Sequence, residues 1–336
     1  MPGKPDSGEP DSGEPEYSVR RLRRDRLILA GLVALFLVGA IGVASGTDWH
    51  AILGQIARLS VVQVAILLGL SAINYFLRGL RWHILVQSLG LHPRFLGNLI
   101  HFLGGFAMSV TPGRVGELVR IRWLARDSGV SVAHAAPVVL GDRAADLVAM
   151  ALLLGGALCF VSLPIRGAVP VAILAFVGAV VVTQPTLAQG AVSIAYRLFG
   201  RHGARLFARA RTAARRLSRF THARVFVPAL LCGLAGWSAE ALAFHLLLGW
   251  FGAPVSFATA LAIFIFATLA GGLTGAPGGL GGAEAAMVAL LALGGAPFGT
   301  AVAATVLIRA TTLWFAVAIG ILAFPLAERG TIRGTR

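Results

Sequence analysis

The chain has 336 residues, 57% hydrophobic and only 13% charged, with a mean hydropathy of +0.81. A soluble domain carries roughly 25% charged residues, so a soluble globular protein is excluded. The formal charge of +15 could point to nucleic acid, but in a membrane chain arginines collect in cytoplasmic loops, and no nucleic-acid partner is expected. Arginine is used almost to the exclusion of lysine, which occurs only at Lys4. With the abundant Ala and Gly, this usage hints at a GC-rich, bacterial genome.

Residues 1–19 form an acidic tail holding a tandem repeat, Asp6-Ser-Gly-Glu-Pro10 and Asp11-Ser-Gly-Glu-Pro15. Its composition predicts disorder. A basic stretch, Arg20 to Arg26, precedes an apolar run over 27–46 that exceeds the usual signal-peptide core of about 7–15 residues. It reads as an uncleaved first helix with a cytoplasmic N-terminus. Further apolar segments fall at 61–77, 95–111, 135–163, 167–186, 225–251, 255–276, 283–296 and 299–326. The fold class expected is all-α: a polytopic helical membrane protein with six to eight crossings and re-entrant segments. The membrane domain covers 20–326, with halves at 61–186 and 225–326 around a basic loop at 187–224, and 327–336 is a short basic tail.

Two segments leave crossing and re-entry open. Segment 95–111 ends at Thr111-Pro112-Gly113 and has basic flanks on both sides. Segment 255–276 runs into Gly271–Gly282, whose glycine density breaks a helix; broken backbone is tolerated in a membrane only inside protein or beside water. Block 197–224 holds nine arginines and no acid, which places it in the cytoplasm. Arg197, Arg201, Arg205 and Arg209 recur every four residues, as on an interfacial helix facing anionic headgroups, or as in a solvated topogenic loop. Arg329, Arg333 and Arg336 put the C-terminus on the same side, in a cell membrane.

Sliding the halves by about 165 residues aligns Pro112 to Glu117 with Pro277 to Glu284, Arg143 with Arg309, and His83 to Gly90 with His245 to Gly252. Segment 61–77 runs outside to inside and 225–251 runs inside to outside, so the repeat reads as inverted. That arrangement places transporter substrate sites at the repeat interface.

Charges inside membrane segments are costly and commonly functional. Here they are Glu117, Arg120, Arg143, Asp146, Glu240, Glu284 and Arg309. Arginines suit a phosphate, and acids balance them or carry protons; the rival reading is mutual neutralisation that locks the bundle. The substrate-binding set expected is Arg114, Glu117, Arg120, Arg143, Asp146, Pro277, Gly278, Gly279, Gly281, Glu284 and Arg309. Arg309 has Thr312 where Arg143 has Asp146, so Arg309 is expected to carry the more available charge. Arg78 and Arg81 close segment 61–77 and read as interfacial lipid contacts. Trp82, like Trp49, Trp123, Trp250 and Trp314, reads as an interfacial anchor, and Cys159 and Cys232 as packing residues. No hydrolase elbow, zincin or P-loop lysine pattern occurs, isolated His101 and His245 do not make a zinc site, and neither metal nor cofactor is expected.

The blocks Arg78-x-x-Arg81-Trp82, Pro112-x-Arg114-x-Gly116-Glu117-x-x-Arg120, Asp142-Arg143-x-x-Asp146, Pro277-Gly278-Gly279-Leu280-Gly281-x-x-Glu284 and Arg309 resemble the transmembrane region of the lysylphosphatidylglycerol synthase family. This group is also known as flippase-like uncharacterised membrane proteins. The resemblance covers roughly 60–325; Ser109 and Thr111 stand where the family often has Asn before the first Pro. It implies a flippase-like lipid translocase for an anionic or polyprenyl/isoprenoid-type lipid. The soluble aminoacyl-transferase domain of two-part members is not expected here, since the chain stops ten residues after its last apolar segment. The alternatives are an integral membrane group-transferase on a lipid phosphate, with Glu117, Asp146 or Glu284 as base, and a non-catalytic accessory subunit of envelope-lipid synthesis. The first is favoured because the sequence shows no compact acid cluster for a metal ion. Membrane lipids, and possible contacts with envelope-lipid enzymes, are the partners implied.

Overall fold

A computed structural model describes residues 54–109, 115–161, 222–274 and 276–333, with scattered positions between 170 and 220; the side chains of 115–117, 277 and 330–333 are not among them. The acidic tail, the first apolar run and Arg197, Arg201, Arg205 and Arg209 lie outside the described residues. So do Pro112, Arg114 and the Glu117 side chain. Every helix below belongs to the unit His50–Arg336.

Among the described residues the structure is helical, without strands. In order come α1 (Val61–Ser88), α2 (Phe95–Gly104) with a 3-10 turn at Gly105–Met108, α3 (Val115–Asp127), α4 (Val132–Ala135) and α5 (Pro137–Leu158). Then follow α6 (Ala223–Trp250), α7 (Phe257–Leu273), a 3-10 turn at Pro277–Gly279, α8 (Gly282–Leu293) and α9 (Phe298–Arg309). A π-helical turn at Ala310–Trp314 leads into α10 (Phe315–Arg333).

Local chemistry sets these boundaries. Ser60, Ser131 and Ser256 cap α1, α4 and α7 by accepting a backbone N–H three residues on, and Gln63 returns the bond at Ser60. Such caps satisfy helix-end donors that would otherwise lack partners. At the other ends of α1 and α6, Gly90 and Gly252 take φ of 82° and 73°, the left-handed stop that only Gly adopts cheaply.

Among the described residues three helices are long and apolar enough to cross a membrane: Val61–Ser88, Ala223–Trp250 and the continuous stretch Phe298–Arg329. At 1.5 Å per residue the first two reach about 42 Å, more than the roughly 30 Å hydrocarbon core. Helix α5 has 22 residues, sufficient in length, but carries Asp142, Arg143 and Asp146. Helices α7 and α8 have 17 and 12 residues, about 25 Å and 18 Å long.

The main core gathers around α7, in which every residue from Thr259 to Ile265 is buried. A helix apolar all round belongs inside a bundle, and α7 packs on α5, α6 and α8. Helix α6 lies against α1 and α5 through small residues. A Cβ on Gly233 would come within 2.9 Å of Ala149 Cβ, and one on Gly236 within 2.5 Å of Asn74 Oδ1. Gly233, Gly236, Trp237 and Glu240 follow i, i+3, i+4, i+7 spacing, so one face of α6 offers first room and then polar groups.

Helix α1 corrects one sequence boundary. The apolar segment stops at Leu77, yet the helix runs on to Ser88, because Arg78 and Arg81 find partners inside the protein. Two tryptophans expected at an interface are likewise buried. Trp82 is 1% exposed and donates to Asn98 Oδ1 at 3.1 Å; Trp123 is 2% exposed and packs edge-on against Phe324. Cys232 is buried as expected of a packing residue, whereas Cys159 is exposed at the end of α5.

Candidate functional site

Helix α5 presents Asp142 and Asp146 on one face, one turn apart. The guanidinium of Arg81, with no exposed side-chain surface, lies between them. Its Nε and Nη2 donate to Asp142 Oδ1 at 2.9 and 2.6 Å, and its Nη1 donates to Asp146 Oδ1 at 2.8 Å. Asp146 also accepts from Arg78 Nη2 at 3.2 Å and Trp237 Nε1 at 3.0 Å, and Arg143 Nη1 stands 3.5 Å away. Arg143 Nη2 lies 3.4 Å from Asp142 Oδ2. Three helices, α1, α5 and α6, are thus joined by one ionic cluster. Such a charge is tolerable in a low-dielectric bundle because it is multiply paired and hydrogen-bonded.

The cluster overturns the interfacial reading of Arg78 and Arg81. Arg81 touches no lipid face, and Arg78, whose side chain is 12% exposed, sits over the Trp237 ring at 5.2 Å. The structure also shows that the Arg143–Asp146 pairing is only part of a five-residue network, so swapping those two charges would break several other bonds.

A second ionic unit is built on the glycine-rich turn. Gly278, Gly279 and Gly281 have φ of 64°, 69° and 83°. Glu284, in the first turn of α8, accepts the Gly281 N–H at 2.7 Å and pairs with Arg309 Nε at 2.5 Å. Arg309 Nη2 donates to the Gly278 carbonyl at 2.9 Å, so one arginine ties this turn to the end of α9. Directly after Arg309 the π turn widens the helix, a local irregularity common at functional sites. There the Tyr75 hydroxyl donates to the Thr312 carbonyl.

The solvent exposure of the two repeat-matched arginines runs opposite to expectation. Arg309 is engaged by Glu284 and a carbonyl and is 12% exposed, whereas the Arg143 side chain is 32% exposed and pairs with Asp142 and Asp146 at 3.4 and 3.5 Å.

Both units open onto one cavity of about 540 Å³. Among the described residues its wall carries four guanidinium groups, Arg78, Arg120, Arg143 and Arg309, and two carboxylates, Asp146 and Glu240. The rest is largely apolar, including Phe106, Met150 and Phe264. Arg120 stacks over the Phe102 and Phe106 rings at 4.2 and 4.9 Å; its stem crosses Gly105, where a Cβ would lie 2.0 Å from Arg120 Nε. Of the expected set, Arg120, Arg143, Asp146, Gly278, Gly279 and Arg309 line the cavity, with Gly281 and Glu284 just behind. Arg78, Tyr75, Trp237 and Glu240 are additions. The i, i+4 aspartates of α5, set against Arg78-x-x-Arg81, are the sequence signal from which Arg78 could have been placed here.

Gly279 tests the turn. A Cβ there would come within 3.2 Å of the Gly271 carbonyl carbon, at a φ that side chains rarely adopt. The left-handed conformation alone costs about 1–2 kcal/mol with a side chain. A Gly279→Leu protein should still enter the membrane and elute as a single species on size exclusion, but lose activity. Wild-type activity would show the glycines to be filler.

Apolar helices enclosing a charged interior cavity define a multi-pass helical membrane protein with an internal polar site. The chain belongs to the lysylphosphatidylglycerol synthase transmembrane-region family, whose profile matches residues 27–320. It is similar to a UPF0104 membrane protein of Methanothermobacter thermautotrophicus (strain Delta H), 26% identical over 325 residues that cover 89% of this chain and 94% of the relative. A further match to a UPF0104 membrane protein of the same organism is 32% identical over 90 residues, 27% of either chain.

Proposed function

We propose that the protein is a lipid translocator, not an enzyme, and that it moves a lipid with an anionic headgroup between leaflets. The observation that carries this reading is the cavity wall, where, among the described residues, four guanidinium groups face two carboxylates inside an apolar bundle. The excess positive charge in a low-dielectric space attracts an anion, and the planar arginine fork suits phosphate oxygens. Apolar walls beside the charges suit the start of the acyl or isoprenoid chains. An anionic phospholipid and a polyprenyl-linked phosphate share this chemistry.

An inverted repeat supports the same reading. Helices α1 and α6 both have 28 residues and end at a positive-φ glycine. His83 packs edge-on against Phe95, as His245 does against Phe257. In transporters built this way the substrate sits between the repeats, at broken helices. In this reading both termini and block 197–224 face the cytoplasm of a cell membrane.

Reconstitution into liposomes containing fluorescent phosphatidylglycerol tests the proposal. Leaflet exchange without any new lipid species is the expected result. A new covalent lipid product without exchange would assign a transferase instead, and the absence of both exchange and product in folded protein would overturn the proposal.

A further inference from the structure

Among the described residues, Glu240 differs from every other carboxylate around the cavity. Asp146 is held by three arginines and an indole N–H, Asp142 by Arg81 and Arg143, and Glu284 by Arg309 and a backbone N–H. Glu240 is 5% exposed, lines the cavity, and makes no ion pair among the described residues. Its polar neighbour on α1 is the Asn74 amide, which is itself fully buried. Gly236, one turn earlier on α6, leaves the space that Asn74 occupies.

Among the described residues the charged and titratable groups facing Glu240 are Tyr75 and Arg78 from α1, Asp146 from α5 and Arg309 from α9; α7 contributes no charged or titratable group to this wall, where its one polar side chain is Thr268. Both cations are committed elsewhere, Arg78 to Asp146 and Arg309 to Glu284. The Tyr75 hydroxyl is committed to the Thr312 carbonyl. Among the described residues no histidine lines the cavity. His245, on the same helix, packs against Phe257 instead.

We propose that Glu240 is a proton-exchange site coupled to headgroup occupancy: it takes up a proton when an anion enters the cavity and releases it when the anion leaves. The inference rests on the anion-cavity reading above. A second negative charge in the same low-dielectric space raises the cost of an ionised, unpaired carboxylate. Anion binding and Glu240 protonation then favour each other, and by linkage the effect is reciprocal. The step is a simple proton transfer, with solvent as donor on loading and acceptor on release. A proton gradient across the membrane would give such a cycle its direction.

Isothermal titration of the purified full chain with short-chain phosphatidylglycerol, in two buffers of different ionisation enthalpy, reads protons taken up per anion bound. The phosphodiester of this probe does not titrate near neutral pH. Wild type should take up a measurable fraction of one proton, with affinity falling as pH rises, by up to about tenfold per pH unit. E240Q should bind with no uptake and a flat pH profile, and E240D should retain uptake. Binding without uptake in wild type, or equal uptake in E240Q, overturns the role of Glu240 while leaving the anion site standing. Absence of binding by folded wild type overturns the anion site, and this inference with it.

Discussion

Replacing Arg81 with Met should be among the most destabilising single changes in the protein. Arg81 is sealed between Asp142 and Asp146, with three hydrogen bonds of 2.6 to 2.9 Å. Methionine fills much of the volume but leaves both carboxylates short of their main cation. Breaking a buried pair in this way costs about 3–5 kcal/mol, more than the intact pair contributes, because a charge is stranded in a medium that cannot solvate it. Asp142 suffers most, since among the described residues its remaining ionic partner is Arg143 at 3.4 Å. Adding Asp142→Asn to Arg81→Met should therefore recover part of the loss, a coupling expected only of groups in direct contact. Thermal unfolding of the detergent-purified proteins measures both effects. Additive destabilisation in the double variant would show that the cluster is not energetically linked.

Gly320→Leu should be comparably damaging for a steric reason. A Cβ on Gly320 of α10 would lie 2.2 Å from Ala107 N and 2.6 Å from the Phe106 carbonyl carbon. Both are backbone atoms of the 3-10 turn after α2, so no rotamer change relieves the clash. Overpacking a filled site costs about 1–3 kcal/mol, and more where backbone must move. The damage extends to the cavity, because Phe106 forms part of its wall and carries Arg120 over its ring. Gly299→Leu is the matched comparison: a Cβ there meets nothing within 4 Å, and its unfolding temperature should stay near wild type. Equal stability for both leucine variants would contradict the close approach of α10 to this turn.

Much of the fold was legible in the sequence because bilayer solvation writes it in hydropathy. Within the described residues the apolar segments at 225–251 and 255–276 match α6 and α7 to within a few residues. The extension of α1 through Arg78 and Arg81 was not legible that way. Hydropathy treats an arginine as the end of a membrane segment, whereas two aspartates on a distant helix make it an interior residue. Trp82 and Trp123 were misplaced for a related reason: their composition suits an interface, and only Asn98 and Phe324, contributed by other helices, reveal burial. The Pro-Gly block announced a break through glycine density, and the break is there. Glu240 stood out as an intramembrane charge, but its isolation became visible only once Arg78 and Arg309 were seen paired to other acids.

The central claim is that the guanidinium groups of the cavity bind the anionic headgroup during translocation, and Arg143 carries the test most directly. Its side chain is the most exposed in the ionic cluster, at 32%, and Asp142 and Asp146 retain Arg81 if it is replaced. Arg143→Gln should therefore fold. Loss of one charge-assisted hydrogen bond, worth about 1.5–3 kcal/mol, should slow leaflet exchange of fluorescent phosphatidylglycerol in liposomes by about tenfold or more. Arg126→Gln removes a comparably charged side chain that is 49% exposed and pairs with Glu328 at 4.0 Å, away from the cavity wall, and should exchange lipid at the wild-type rate. A tenfold fall for Arg143→Gln alone is the result predicted here. Wild-type exchange by a folded Arg143→Gln protein, or equal slowing by both variants, would contradict headgroup binding at this site.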